Sequence, residues 1–450
     1  MKKNYLLGMA LMASLSFYSC DKEVVYVQQD GEGVESVADG AQIITLQVEN
    51  GGDGLATRAG RPLYSAEAKQ TIENVKLWIC DNAGKVVYVN TISNWNTDGS
   101  TAYTTGGHGR QTTIELKDAD KLAAGNYKVY AVGYSNGSAY TLTDVTSVAE
   151  EGTFNENMVL PCSTVGEEIF AGQMDLSVET GKGFKKPVVL NRQVAGAFAY
   201  VKDIPFMEGA KYLKLVASAQ NQSLVLGNFN SVDLTGNGSG NGTNVKYVVN
   251  GTNGKSGSET YEICSIDLNE WFTAIEDADG DNLIDAGENW AKPDNYKGHA
   301  LFEKGSVFGG EFVIPFAHVA TKQTLTLVLT NAEGTELRSW KVNLGSTDEQ
   351  VKSNNSNNKV TYWTGSAWDE YATAESANSY SLVRNHLYGI GTRMYDNPSN
   401  PGVDPTPEDP DPTPTDPENP NDQPESLNNK QELVLKVNDN WEVIHGMELD

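Results

Sequence analysis

The sequence predicts an all-β protein built of antiparallel sandwiches. Short runs alternate apolar and polar residues, turn-formers separate the runs, and no helical period intervenes between them. Thr, Val and Asn are abundant beside 44 glycines and 20 tyrosines, a composition of strands and turns. A chain of 450 residues exceeds one ordinary domain, so two or three are expected. Apolar residues, at 39%, supply real cores but not a membrane bundle. The net charge is −27, from 33 basic and 60 acidic residues. A field of that sign repels phosphate backbones and anionic lipid, which excludes nucleic acid as a partner. The four cysteines and five histidines are scattered, and no disulfide framework or zinc module fits their spacing.

At the N-terminus, Met1-Lys2-Lys3 precedes a short apolar stretch over residues 5–17. It is too short to cross a bilayer and reads as a secretory signal, residues 1–19. Cys20 follows directly and reads as the acylation site of a lipoprotein, although Phe17 and Tyr18 depart from the usual small aliphatic pattern. An ordinary signal followed by an incidental cysteine is the alternative. Cys80, Cys162 and Cys264 then allow one disulfide at most, and buried free thiols are expected of them.

Residues 42–49 alternate, with Ile44, Leu46 and Val48 on one face, and predict a half-buried strand. A glycine-rich breaker at 50–54 leads to Thr57-Arg58-Ala59-Gly60-Arg61-Pro62. Val75, Leu77 and Ile79, a turn at 81–84 and a return at 86–89 predict a hairpin. Strands follow at 112–116 and 127–134, with a short helix at 118–124. A second series starts with one long strand over 188–201 and continues at 212–216, 223–226, 246–249, 312–315, 324–330 and 337–344. Gly254-Lys255-Ser256 lacks the rest of a phosphate loop and reads as a polar turn. The domain seam is expected at Gly181-Lys182-Gly183.

From 397 to 426 proline recurs among Asp, Glu, Thr and Asn without a basic residue. Proline denies both helix and ladder hydrogen bonds, so this is a semi-stiff spacer, spanning on the order of 90 Å if in polyproline form. Beyond it Leu433, Leu435, Val437, Trp441, Val443, Met447 and Leu449 all fall on odd numbers, interrupted by Asp439 and His445. A strand on a tether has no core of its own and is expected to bury that face elsewhere, with a bend at Asn438-Asp439-Asn440. Taken together, the two ends suggest strand exchange. Ile44, Leu46 and Val48 fill a groove, proteolysis between Arg58 and Ala59 frees them, and the closing strand of another subunit takes their place by β-augmentation. Arg61 is the poorer site because Pro62 follows it.

The chain resembles the type V pilins, the fimbrillin family of anaerobic Gram-negative bacteria, and especially its minor-fimbria shaft subunits. The resemblance is carried by Cys20, by Thr57-Arg58-Ala59-Gly60, by Gly125-Asn126-Tyr127-Lys128-Val129-Tyr130, by Leu190-Asn191-Arg192-Gln193-Val194-Ala195 and by Val383-Arg384-Asn385-His386-Leu387-Tyr388. The spacer and the closing strand around Trp441 add to it. It implies two transthyretin-like β-sandwich domains, a lipidated precursor at the outer membrane, an Arg-specific protease and exchange through the C-terminal strand. The expected plan is a signal peptide (1–19), a lipidated propeptide with the removable strand (20–58), two sandwiches (59–183 and 184–396), the spacer (397–426) and the donor strand (427–450). Expected partners are identical or related pilins in a head-to-tail filament, with tip and anchor subunits beside them. The final location is an extracellular fimbrium serving adhesion.

Residues 277–288 fit the twelve-residue calcium loop, with Asp277, Asp279, Asp281, Asp285 and Glu288 as carboxylates and Leu283 offering a carbonyl. The segment reads either as a structural Ca2+ site or as an acidic surface loop. No cofactor is otherwise required. His108, His299, His318, His386 and His445 lie far apart and no nucleophile elbow is present, so an enzyme is not expected. Trp363 and Trp368 near Tyr362 and Tyr371 read as aromatic packing on a sandwich edge or, less favourably, as a sugar platform. Two rival functions follow: a tip or anchor accessory subunit of the same filament, or a glycan-binding surface lipoprotein.

Overall fold

The computed structural model describes residues 40–48, 72–102, 110–163, 166–229, 232–233, 244–245, 247–272, 305–316, 324–344, 359–372, 382–385, 387–393, 422–427 and 432–438. The first strands are β1 (Gln42–Val48), β2 (Asn74–Asp81), β3 (Val86–Ile92), β4 (Thr101–Ala102), β5 (Arg110–Leu116), β6 (Gly125–Tyr134), β7 (Val159–Pro161), β8 (Phe170–Val178) and β9 (Phe184–Arg192). The second series is β10 (Ala195–Lys202), β11 (Tyr212–Val225), β12 (Val232–Asp233), β13 (Asn244–Val245), β14 (Tyr247–Val249), β15 (Gly251–Asp267), β16 (Ser306–Val313), β17 (Leu325–Thr330) and β18 (Glu336–Leu344). It closes with β19 (Lys359–Trp363), β20 (Trp368–Ala372), β21 (Leu387–Ile390), β22 (Thr392–Arg393), β23 (Asp422–Gln423), β24 (Glu425–Ser426) and β25 (Glu432–Asn438). Helix among the described residues is confined to α1 (Thr143–Ser147), α2 (Leu268–Trp271) and one tight turn at Asp118–Asp120. The protein is all-β, as its alternation predicts.

The first eight-stranded sheet runs β3-β2-β6-β8-β9-β1-β5-β4. It folds over at a corner, because β8 and β9 pair only at Phe170–Arg192 and Ala171–Asn191 before separating. Gly172 marks the crossing: a Cβ there would meet the Val189 carbonyl oxygen at 2.0 Å. The strands either side of the corner enclose one core. Val75, Leu77 and Ile79 of β2 face Ile44, Leu46 and Val48 of β1 across it, with Val129, Phe170, Val188 and Leu190. Period-2 alternation puts Trp78 and Cys80 on the opposite face of β2, where they join a second core with Tyr130, Phe154, Phe229 and residues of the later strands. Strand β2 is buried on both faces, so it reads as a continuous apolar run.

The second sheet runs β15-β11-β17-β18-β25-β21-β10-β16. Its pairing pattern repeats the first strand for strand. In the first sheet β1 is parallel to β9 and antiparallel to β5, and in the second β10 is parallel to β21 and antiparallel to β16. Likewise β2 with β3 and β6 corresponds to β11 with β15 and β17, and β6–β8 corresponds to β17–β18. The added element is β25, which sits at the second corner between β18 and β21.

Several sequence expectations are revised here. The long strand over 188–201 is two strands in different sheets, parted at Gln193-Val194. The Gln193 N–H donates to the Ile169 carbonyl at 2.8 Å and its side-chain amide donates to the Asn191 carbonyl at 2.8 Å, which ends the ladder. Residues 181–183 belong to the turn joining β8 to β9, closed by Lys182 N–H to the Glu179 carbonyl at 3.2 Å. The passage between sheets is therefore ten residues further on. Gly254-Lys255-Ser256 lies within β15, opposite Asn221, Gln220 and Ala219 of β11, and is ladder rather than turn. The expected helix at 118–124 shrinks to the single turn at Asp118–Asp120.

A buried polar joint ties the two halves. The Arg192 guanidinium donates to Glu168 Oε1 from Nε at 3.0 Å and Nη2 at 2.6 Å, with both side chains sealed from solvent. It also lies over the Phe170 ring at 5.0 Å. Next along the chain, Gln193 Oε1 accepts from Arg384 Nη1 at 2.9 Å, and that guanidinium also donates to the Gly227 and Asn228 carbonyls. Asn385 N–H completes the joint by donating to the Val194 carbonyl at 2.8 Å. Two of the short motifs that carry the family resemblance thus meet across 191 residues of chain. A buried charge stripped of its partner is expensive. Glu168→Ala is therefore expected to cost about 3–5 kcal/mol in chemical denaturation, well beyond a surface carboxylate such as Glu151→Ala.

Candidate functional site

Strand β1 occupies an interior place in the first sandwich, with ladders on both edges. It is antiparallel to β5 from Gln42↔Leu116 to Val48↔Arg110 and parallel to β9 from Gln42↔Phe184 to Val48↔Leu190. Ile44, Leu46 and Val48 are wholly buried. The core beneath them holds Val75, Leu77, Ile79, Ile114 and Leu190. Burial of three such side chains contributes roughly 5–9 kcal/mol in gross terms. The expected half-buried strand is more enclosed than its alternation alone predicts, because Gln42 and Thr45 are also buried.

Polar contacts pin one end. Gln42 Nε2 donates to the Leu122 carbonyl at 2.9 Å and the Leu122 N–H donates to Gln42 Oε1 at 2.7 Å. Lys121 Nζ donates to the Gly40 carbonyl at 3.0 Å, and Phe184 N–H to the Ala41 carbonyl at 2.8 Å. Midway, the Thr45 hydroxyl is buried without a hydrogen-bond partner. An orphan of that kind costs about 1–3 kcal/mol. It weakens the seating of an otherwise tightly held strand.

At the other end stands Arg110, the register partner of Val48. Its Nε donates to the Trp95 carbonyl at 3.0 Å and to Ser100 Oγ at 2.7 Å. Its Nη2 donates to the Thr97 and Ser100 carbonyls, each at 2.6 Å. All four acceptors are neutral. No carboxylate among the described residues pairs with this guanidinium, and burial lowers its pKa from the ordinary value.

The tail is placed differently from expectation. Strand β25 is parallel to β18 from Lys341↔Glu432 to Leu344↔Leu435 and antiparallel to β21 from Leu387↔Asn438 to Gly389↔Lys436. Leu433 is buried in the core of this chain's own second sandwich. The expectation that the whole tail lacks a core is therefore corrected for Leu433; Leu435 and Val437 belong to the same strand. The physical reason is the corner between β18 and β21, where this strand ties the two layers. The end of the expected spacer is corrected too. Residues 425–426 pair with β10, Ser426 Oγ donates to Asp203 Oδ2 at 2.7 Å, and Leu427 is buried with its N–H on the Lys202 carbonyl.

Cys20, Arg58, Ala59, Trp441 and Val443 lie outside the described residues, as do all five histidines. So do Asp277, Asp279, Asp281, Leu283, Asp285 and Glu288 of the calcium-like loop. Trp363 and Trp368 pack edge to face at 5.2 Å, and the Trp368 indole N–H is committed to Asn157 Oδ1 at 2.7 Å. That geometry fits aromatic packing against the first half. Sequence reasoning missed Arg110 and the Gln42–Leu122 clamp; the only signal for the clamp was a polar residue at an inward position of the alternation.

No protein-family model matches this chain, and no curated protein matches it. Among solved structures it is similar to the tip fimbrial protein from Porphyromonas gingivalis, at 11% identity and a TM-score of 0.37, covering 78% of this chain and 94% of that one. It is also similar to a fimbrial assembly protein from Parabacteroides distasonis, at 12% identity and a TM-score of 0.34, covering 77% of this chain and all of the other. A third is the fimbrial anchor protein from Porphyromonas gingivalis, at 11% identity and a TM-score of 0.31, covering 76% and 99%. A likeness at that level transfers neither activity nor partner to this chain.

Two predictions follow from this geometry. Leu46→Ala is expected to destabilise the intact chain by about 2–5 kcal/mol. Thr45→Val, which replaces the orphan hydroxyl by a methyl, is expected to stabilise it by about 1 kcal/mol, both read from denaturant midpoints at constant slope. The three described thiols are buried and in no disulfide, and burial, aided by Asp81 and Glu156, pushes the Cys80 thiol up to about 12; burial takes Cys264 to about 12 as well. At pH 8 both are then almost wholly protonated. A thiol reagent is expected to label Cys80 and Cys264 only after denaturation, as mass spectrometry of labelled peptides will report.

Proposed function

We propose that this protein is a structural subunit of a surface fimbria, assembled by strand exchange from a lipidated precursor. One observation carries the reading: β1 completes the first sandwich from inside, yet it is joined to the rest only through residues 49–71, the segment that contains Arg58. Cutting after Arg58 turns an intramolecular strand into a separate chain and removes the effective concentration that holds it. Its departure leaves the edges of β5 and β9 unpaired over an apolar trench, and a strand of a second copy fits such a vacancy by backbone pairing. Because the donor and the acceptor lie at different places on each copy, the association does not close and gives a filament.

In this reading, with Leu433 held in the chain's own second sandwich, the donor is residues 439–450, which carry Trp441, Val443, Met447 and Leu449. The remaining elements of the reading are acylation at Cys20, passage to the outer membrane, an Arg-specific protease, and tip or anchor subunits as further partners. It is a structural role, with no catalytic step and no cofactor required. Ca2+ at 277–288 would stiffen a loop.

Arg58→Ala tests the reading in cells that make the protein. The variant is expected to accumulate as full-length lipoprotein monomer, while the unaltered chain yields mature subunits starting at Ala59 in SDS-resistant ladders. Mature chains that begin at lipidated Cys20 and never enter ladders would instead favour a glycan-binding surface lipoprotein.

A further inference from the structure

One edge of the first sheet stands open. Strand β3 ends the sheet and, among the described residues, pairs as a strand only with β2. At its start the Val86 N–H donates to the Gly152 carbonyl at 2.8 Å, and the Val86 carbonyl accepts from the Glu151 N–H at 2.9 Å. From Val87 to Ile92 no backbone bond reaches the outer edge among the described residues. Beyond a bulge at Ile79/Cys80 the register with β2 is unbroken from Tyr88 to Ile92. An edge of this kind is a template for any free strand, and proteins commonly blunt it with lysine, proline or shortness. The opposite end of the sheet is blunted in that way, since β4 is two residues long. Strand β3 has seven residues without a charge or a proline. At 36%, Val87 is the most exposed large apolar side chain among the described residues.

The chain carries a copy of this strand. Val24-Val25-Tyr26-Val27 repeats Val86-Val87-Tyr88-Val89 residue for residue, and the tetrapeptide occurs nowhere else in the sequence. The copy lies outside the described residues and, with Gln28 and Gln29, carries no charge. As a strand it has the two faces of the one it repeats, valine at 25 and 27 and tyrosine at 26. Residues 28–39 connect it to Gly40 and reach about 40 Å when extended. Lys121 holds the Gly40 carbonyl just ahead of β6, and Tyr127 of β6 pairs with Asp81 at the turn into β3. Strands lie about 5 Å apart and sandwich layers about 10 Å, so the connection spans the gap with slack. A second copy must bring its own charge of −27 to the same edge, whereas a tethered segment acts at an effective concentration of order mM. We propose that residues 24–29 pair with the outer edge of β3 in the unprocessed chain and keep that edge covered. Their release rests on the cleavage after Arg58 proposed above, which parts them from the sandwich together with β1. Processing then opens two places together, the seat of β1 and the edge of β3.

Hydrogen exchange of the full unprocessed chain, read by mass spectrometry on peptides covering 86–92, tests the pairing. Val25→Asp with Val27→Asp is expected to speed exchange of the outer-edge amides of β3 about ten-fold. Deleting residues 24–29 is expected to do the same without adding charge. Val34→Asp, which adds a charge outside the segment, is expected to leave β3 unchanged. Exchange across β2 and β6 reports the fold itself and is expected to stay slow in every variant. Equal exchange of β3 in the unaltered and the deleted chain overturns the inference. So does protection that fades on dilution, which marks a second copy as the occupant. When the chain is then cut after Arg58, β3 and β5 are expected to lose protection together. Protection that persists in both refutes the departure of β1 and leaves the pairing standing, while loss in β5 alone overturns the linked release.

Discussion

The structure depends on one constraint: a strand in the middle of a sandwich layer must have both edges paired and its inner face filled. Strand β1 meets all three demands at once, through β5, β9 and the core that includes Leu77, Ile79 and Ile114. None of these can be given up locally. If β1 leaves, two rows of backbone donors and acceptors lose their partners together, and a row of wholly buried aliphatic side chains is exposed. A surface hairpin could be lost at the cost of a few contacts. The loss of an interior strand leaves a sandwich that needs a replacement of the same length and alternation.

The repeated pairing pattern shows why the two halves differ in what they can accept. In the second half, the strand equivalent to β1 is β10, which continues directly from β9 through Gln193-Val194 and cannot be severed from the sheet by cutting a loop. The same half has a wide connection between β18 and β21, residues 345–386, and β25 lies at the corner it leaves. In the first half, the equivalent strands β8 and β9 are joined by the short turn at 179–183 and cross closely at Gly172, so no strand fits between them. Among the described residues, the interior place of the first sandwich that a loop cut could empty is therefore the seat of β1. The second is already complete.

Much of this was legible in the sequence. The alternation of Gln42–Val48 identifies a strand and its inward face, and the β2–β3 hairpin follows from its turn and its odd-numbered aliphatics. What alternation cannot specify is whose core a face enters. Leu433 and its neighbours read as a strand in need of a core, and Leu433 finds its core in its own chain, with β25 at the corner between β18 and β21. Strand β15 was hidden for a different reason: its Gly and Ser residues have low strand propensity, and pairing with β11 overrides it. The buried joint was hidden because Arg192, Gln193, Arg384 and Asn385 look like surface residues until the fold removes them from water.

That joint bears on the proposed filament. In such a filament, force would pass from the tail, through the second sandwich, across the joint, to the seat of β1 in the first. A purely apolar contact between the halves would resist separation but slide easily, because dispersion has little directional preference. Hydrogen-bonded guanidinium groups resist sliding as well, since Arg384 must lose the acceptors Gln193, Gly227 and Asn228 before the halves can shift. Arg192 and Glu168 anchor the adjoining end of β9, the strand that forms one wall of the β1 seat. Displacement at the joint would therefore pull on the same strand whose edge must stay in register for exchange. The expense of burying these polar groups is offset by directionality: oriented hydrogen bonds tie the end of β9 to the second sandwich.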